Sequence, residues 1–308
     1  MKRPPAAIVV VLVGSILLAA GCGGGGGAGE GGTPSSATGE TIESLWRGSG
    51  ENVGAVAGTS DFQVGTNRIS FLVVDKQSRV SDRPTARIWV SHGLKQKPFA
   101  ETTARLEPIG VPGGETADAG AIYVARIETP SPGTYWYLAK PVGGPKIGAL
   151  GNVVVKEKSA APSVGDKALP SRTPTLASTG GDLTELTTAR HPDRGLYRSS
   201  VAQALAAHAP FVLSFATPEF CQSRTCGPVV DVVSAVHKRE PADSPVQFIH
   251  VEIYKDNDPA NGVNQWVEQW RLPTEPFTYV VDRTGVIRTK LEGAFSTGEL
   301  ERAVAAVR

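Results

Sequence analysis

Hydrophobic and polar positions follow two different periods along this chain. Between residues 61 and 158, short apolar runs at 68–75, 85–91, 121–127, 134–139 and 151–156 are rich in Val, Ile, Tyr and Trp. They are separated by Asp82-Arg-Pro84, Pro112-Gly-Gly114, Pro130-Ser-Pro-Gly133 and Gly143-Gly-Pro145. β-branched and aromatic residues suit a pleated surface, and Pro and Gly punctuate it. With no helical period in this half, the pattern predicts a small all-β sandwich over residues 61–158.

From residue 182 onward, helical and strand periods alternate. Residues 182–188 predict a short leading strand. Residues 201–208 predict a helix with Ser199 or Ser200 as its N-cap. The unbroken apolar run 211–216 reads as a buried strand. Val229, Val230, Val232, Val233 and Val236 give the next segment an apolar stripe to about Lys238, and 246–254 predicts a second central strand. A short helix within 261–270 places Trp266 and Trp270 on one face, as core packing. Runs 277–281 and 286–291 flank Asp282-Arg-Thr-Gly285, a hairpin signal. Ser296 and Glu299 form a capping box for a last helix. Between the halves, residues 159–181 are rich in Pro, Ser, Thr and Gly and read as a linker.

The first residues carry a different message. Lys2 and Arg3 precede an apolar stretch at 6–20, shorter than the ~20 residues a membrane span needs. It ends in Leu18-Ala-Ala-Gly-Cys22, which resembles the lipobox of bacterial lipoproteins, with Ala19 where Leu is more usual. The resemblance implies a signal peptide over 1–21 and acylation of the Cys22 thiol. A flexible tether over 22–60 would then hold the body at the extracytoplasmic face of the cell membrane. An uncleaved anchor or a plain secretory signal also places the body outside the cytoplasm.

Composition narrows the partners. The 308 residues suffice for two domains, and 40% hydrophobic with 20% charged residues is globular. A net charge of +1 without a basic tract argues against nucleic acid as a partner. The chain has three cysteines. With Cys22 lipidated, Cys221 and Cys226 remain, and an oxidising compartment favours their pairing.

Those two cysteines sit between the strand at 211–216 and the valine-rich helix, where a helix N-terminus stabilises a thiolate. Arg224 between them adds positive potential. Residues five apart on a regular helix lie roughly 8–9 Å apart, beyond the ~7 Å a disulfide spans. The helix is therefore expected to begin near Cys226, with Gly227 and Pro228 in its first turn.

The order of elements over 182–308 resembles the thioredoxin fold. The expected fold class is thus an α/β thioredoxin-like domain at the C-terminus and an all-β sandwich at the N-terminus. The run Pro132-Gly-Thr-Tyr-Trp-Tyr137 likens that sandwich to immunoglobulin-like modules of exported bacterial proteins, serving as spacer or docking module. The thioredoxin resemblance implies that Pro276 after Glu275 is cis and, with Arg224, shapes a substrate groove. It implies that Cys221 attacks a partner disulfide and Cys226 resolves it, with protein thiols or disulfides as partners and neither cofactor nor metal. The chain departs from that family in its Cys-x-x-x-x-Cys spacing, in Phe220 where Trp is usual, and in lacking an acid on the strand 211–216. Two other readings stay open. In one the pair is a structural staple in a binding protein. In the other the chain is a thiol peroxidase, although Ser214 and Pro218 stand where that family requires Pro and Thr or Ser. A copper site would need a histidine downstream of the pair in a loop, whereas the last histidine, His250, lies mid-strand. His92 reads as solvated, and Glu219 as an exposed loop carboxylate close to Cys221.

Overall fold

The structure, a computed structural model, describes residues 39–112, 119–220 and 228–308. Cys22, Cys221, Arg224 and Cys226 lie outside the described residues.

The first half is a closed barrel. Helix α1 (Ile42–Arg47), capped by the Thr41 hydroxyl on Ser44 N–H, leads into β1 (Glu51–Ala57). Then come β2 (Phe62–Gln63), β3 (Gly65–Val74), β4 (Thr85–Ser91), β5 (Ala100–Pro108), β6 (Ala121–Thr129), β7 (Gly133–Pro141) and β8 (Ile147–Lys156). Seven of them close in the order β1-β3-β6-β5-β4-β7-β8, with β8 returning to β1. A ring of strand directions can alternate throughout only with an even count. Seven strands therefore leave one parallel seam, and it is β1 on β8, from Glu51 opposite Ile147 to Gly54 opposite Leu150. Alternate residues fill the interior: Phe71 packs 5.5 Å from both Tyr123 and Tyr137, among Ile69, Ile88 and Val153. Gly151 is required here, since a Cβ would sit 2.4 Å from Cζ of Tyr137.

The seam is interrupted. After Gly54 the chain leaves the edge of β8, and β2 rejoins that edge at Val155 and Lys156. Between them, Ser60 and Asp61 contact the second half of the molecule.

That half is built on one four-stranded sheet: β9 (Phe211–Phe215), β10 (Gln247–Val251), β11 (Phe277–Val281) and β12 (Ile287–Glu292). Its order is β10-β9-β11-β12, with β9 parallel to β10 and the other pairs antiparallel. Both faces are covered, which is why the strands read as continuous apolar runs. On one face α3 (Val229–Arg239) and α5 (Thr297–Ala305) pack on Val212, Phe248, Val280 and Leu291. On the other, α2 (Val201–Ala206) and α4 (Gln265–Gln269) join Ala161 and Ala168 over Phe211, Leu213, Tyr279 and Val281. Ser200 caps α2 in a full capping box with Gln203. At α5 only half of the box forms: Ser296 accepts from Glu299 N–H, while the Glu299 carboxylate is drawn to Arg68. Among the described residues no helix is long and apolar enough to cross a membrane.

The expected fold class is corrected on both counts. The first half is a closed barrel rather than an immunoglobulin-like sandwich, because β1 and β5 complete the ring. Both were hidden by small or charged residues: β5 buries Ala104 between exposed polar neighbours. The second half is a separate four-stranded sheet in a mostly β chain, not the α/β thioredoxin-like fold. Residues 182–188 form turns instead of a leading strand, because the Asp182 carboxylate binds the N–H and hydroxyl of Thr184 and curls the chain. The strand near 246–254 is an edge, not a central strand. Helix α3 starts at Val229 with Pro228 in the cap position. Of the expected tether over 22–60, residues 42–57 supply a helix and a barrel strand. Residues 159–181 lie along the second sheet, where Gly165 N–H bonds Ile287 O and Ala168 N–H bonds Gly285 O.

Barrel and sheet meet through buried polar contacts around a small apolar patch of Leu72, Ile109, Ile122 and Ala294. The Glu292 carboxylate accepts from Ser60 N–H at 3.0 Å and Asp61 N–H at 2.9 Å. Lys290 pairs with Asp61 at 2.6 Å. Arg68, its side chain 8% exposed, grips both Glu299 oxygens at 3.0 Å and the carbonyls of Glu292 and Ala294. Replacing Arg68 with Met leaves Glu299 and two carbonyls unpaired at this junction. The expected cost is roughly 3 kcal/mol, read as a lowered denaturant midpoint; a change below about 0.5 kcal/mol, as for an exposed pair, would show that Arg68 does not hold the junction.

Candidate functional site

Three chain segments converge at one end of the second sheet. Phe215, the last residue of β9, lies between Val251 at the end of β10 and Phe277 at the start of β11. The chain beyond β9, the chain beyond β10 and the chain entering β11 therefore share this end. Crevices outside the carboxyl ends of parallel strands, where strand order reverses, are the usual ligand sites of open sheets.

The stretch leaving β9 is held by His250. Ala216 O can only accept, so the Nε2 at 3.0 Å carries the proton and donates to it. Nδ1 then accepts from the Tyr197 hydroxyl at 2.8 Å. Burial lowers the pKa of His250, with the Glu252 charge opposing, and the ring serves as a neutral strut. Beyond it come Thr217, fully buried with no partner for its hydroxyl among the described residues, and then Phe220. The Phe220 ring meets Tyr254 edge-on at 6.0 Å between centroids. Cys221 is the next residue in sequence.

Of the residues singled out from sequence, the structure places Pro276 at this end of the sheet: it is buried, its bond to Glu275 is cis, and its carbonyl accepts from Gly293 N–H. Cys221, Cys226 and Arg224 lie outside the described residues. Glu219 is exposed, as expected, and its N–H donates to the Thr188 hydroxyl. Trp270 is wholly buried against Phe215 and Tyr279, and Trp266 is half-buried beside it, so both pack as expected. His92 is exposed on the barrel, stacked on Phe99 at 4.6 Å.

Two acids at this site escaped sequence reasoning, which looked for one only on the strand 211–216. Glu252, 5% exposed, follows β10. Its Oε1 accepts from the N–H and hydroxyl of Thr188 at 2.7 and 2.8 Å, while its Oε2 has no partner among the described residues. Glu275 precedes the cis proline, and one of its oxygens is likewise buried without such a partner. Burial first, and the nearby Glu252 charge second, push the Glu275 carboxyl up to about 7, against a hydrogen bond from the Tyr254 hydroxyl that pulls it down. Like charges that cannot both ionise cheaply keep a proton at neutral pH. The available signals were an acid interrupting the apolar sequence Val251-Glu252-Ile253 and an acid next to the proline already singled out.

No protein-family model matches the chain, and no curated protein matches it either.

Protons bound more tightly in the folded state than in the unfolded chain make stability fall as pH rises. Glu275 titrates at about 7 when folded and near the ordinary glutamate value of 4.5 when unfolded. Its contribution is complete below that lower value and lost as pH climbs through about 7. Glu275→Gln keeps the neutral shape and cannot ionise. The variant should therefore gain stability relative to the parent between pH 5 and 8 in denaturant titrations. A difference independent of pH over that range would show that Glu275 ionises normally.

Proposed function

We propose that this protein carries out thiol–disulfide exchange through Cys221 and Cys226, at the extracytoplasmic face of a membrane to which lipidated Cys22 anchors it. The observation that carries the reading is the end of the sheet where Phe220, the residue preceding Cys221, meets the Tyr254 ring edge-on at 6.0 Å. Two acids stand at the same end, Glu252 and Glu275, each with a carboxylate oxygen buried without a partner among the described residues, and burial pushes the Glu275 carboxyl up to about 7. A group that titrates near neutral pH is suited to move protons in both directions.

In the reductive direction the Cys221 thiolate attacks one sulfur of a partner disulfide. A new sulfur–sulfur bond forms, the partner's own bond breaks, and its other sulfur leaves as a thiolate that takes up a proton. Cys226, deprotonated in turn, attacks the Cys221 sulfur, closing the Cys221–Cys226 disulfide and expelling the partner's second thiolate. Two electrons pass to the partner, and the two protons lost by the cysteines end on the partner's thiols. Glu275 is assigned the transfer of those protons, with burial first and the Glu252 charge second holding its pKa up. The reverse sequence oxidises a partner dithiol.

The reduced protein should reduce a disulfide-linked model peptide, and Cys221→Ser should abolish this while Cys226→Ser halts at the mixed disulfide. The same preparation, extracted from membranes with detergent, should show an acylated Cys22 as its first residue by mass spectrometry. Undiminished exchange in Cys221→Ser would remove the cysteine assignment, and an unmodified Cys22 in the mature chain would remove the anchor.

A further inference from the structure

The described chain begins beside one end of the barrel. Gly39, Glu40 and Thr41 lead into α1, whose first two amides are held by the loop between β4 and β5. Ile42 N–H donates to Gln96 O at 3.1 Å and Glu43 N–H to Leu94 O at 2.8 Å. β1, β4 and β8 run in one direction, since β8 is parallel to β1 and both β4 and β8 are antiparallel to β7. Their last residues therefore share this end. Three of the large hydrophobic side chains exposed among the described residues are found there. Phe99, 41% exposed, follows the β4–β5 loop, and Val56 and Val154 stand near the ends of β1 and β8.

The loop holds its aromatic ring in place. The buried Ser91 hydroxyl lies within hydrogen-bond distance of Gly93 O, at 3.0 Å, and Lys97 O, at 3.2 Å. Phe99 N–H donates to Val90 O at 3.0 Å. The Phe99 ring stacks on His92 at 4.6 Å and meets Tyr135 edge-on at 5.9 Å, and the Tyr135 hydroxyl donates to Ser131 O at 2.8 Å. A side chain already fixed loses little further freedom when it is covered. Residues 92–99 include exposed Lys95 and Lys97 and no acid, and neither lysine forms an ion pair among the described residues. Of the two acids where the chain enters, Glu43 lies within electrostatic reach of Lys95 but is bound by Arg47 at 2.7 Å, and Glu40 is exposed. Further round the rim, exposed Lys156 and Lys158 flank Glu157.

We propose that this end of the barrel rests on an anionic phospholipid surface, with the Phe99 ring at the level of the headgroups and Lys95 and Lys97 against their phosphates. The occupant is set by where the chain leads. Sixteen residues, 23–38, separate Cys22 from Gly39, and fully extended they reach no further than about 60 Å. Tethering over so short a length gives an effective concentration on the order of mM, so a contact too weak to hold a free protein is populated. A lysine near an anionic bilayer strengthens association about fivefold, and aromatic rings suit the interface. The inference rests on the lipid anchor of the proposed function for its setting in the cell, while the contact itself is a property of the barrel end.

The test makes the tether independent of natural acylation. The full chain, with Cys221 and Cys226 changed to Ser, is coupled through the Cys22 thiol to a maleimide-bearing lipid in vesicles whose acyl chains carry bromine, a fluorescence quencher. Phe99→Trp adds an emitting ring at the barrel end, and Val263→Trp, at an exposed position of the second half, is the control. In vesicles of phosphatidylglycerol mixed with phosphatidylcholine, the emission added by Phe99→Trp should be quenched at least threefold more than that added by Val263→Trp. Lys95→Gln together with Lys97→Gln, or phosphatidylcholine alone, should bring it down to the control. Equal quenching of the two probes overturns the proposal and leaves this end to a protein partner. Quenching that survives both the lysine substitutions and the neutral lipid overturns the headgroup charge as what is recognised. Cys22 found unmodified in cells, with quenching of the coupled protein intact, would count against the anchor alone. An acylated Cys22 without quenching would count against the docking alone.

Discussion

The Glu292 carboxylate sits where the barrel cannot satisfy itself. Interrupting the seam between β1 and β8 leaves the amides of Ser60 and Asp61 without strand partners, and the nearly buried Glu292 carboxylate supplies their acceptor. Glu292 accepts from both, and from the hydroxyls of Ser60 and Thr274. Because it is also the last residue of β12, opposite Phe277, the same contact fixes where β11 begins. The positions of Pro276 and Glu275, one and two residues before Phe277, follow from it. The barrel thus acts as the foundation that sets the site end of the second sheet.

At that end, burial has opposite effects on neighbouring groups. His250 is driven neutral and fully hydrogen-bonded, so it positions the chain and takes no part in proton traffic. Glu275 is only partly enclosed and sits near a second acid, so it is left poised near neutrality. One is a strut and the other a titrating group because His250 has two good partners and Glu275 has an unsatisfied oxygen.

Much of the local structure was legible in the sequence. The strand at 85–91, the apolar run that became β9, the Asp282 turn with Gly285 at φ 75°, the Ser200 cap and the valine stripe of α3 all follow from side-chain period and turn chemistry. The closure of the barrel was not legible. It depends on which edges meet, and the closing strand β1, Glu-Asn-Val-Gly-Ala-Val-Ala, has too little apolar bulk to announce itself. The resemblance over 182–308 carried the cis bond at Pro276 correctly but not the fold class. At the site, Phe220 and Pro276 were readable because they flank recognisable residues. Glu252 and Glu275 were not, because their chemistry comes from being brought together across 22 intervening positions of chain by the parallel and antiparallel neighbours of β9.

The most direct measurement is the reduction potential of the Cys221 and Cys226 pair, equilibrated against glutathione and read by thiol trapping. A working exchange centre requires a value between about −270 and −120 mV. A value below about −300 mV would mark the pair as a permanent staple and leave an anchored binding protein in place of a redox one.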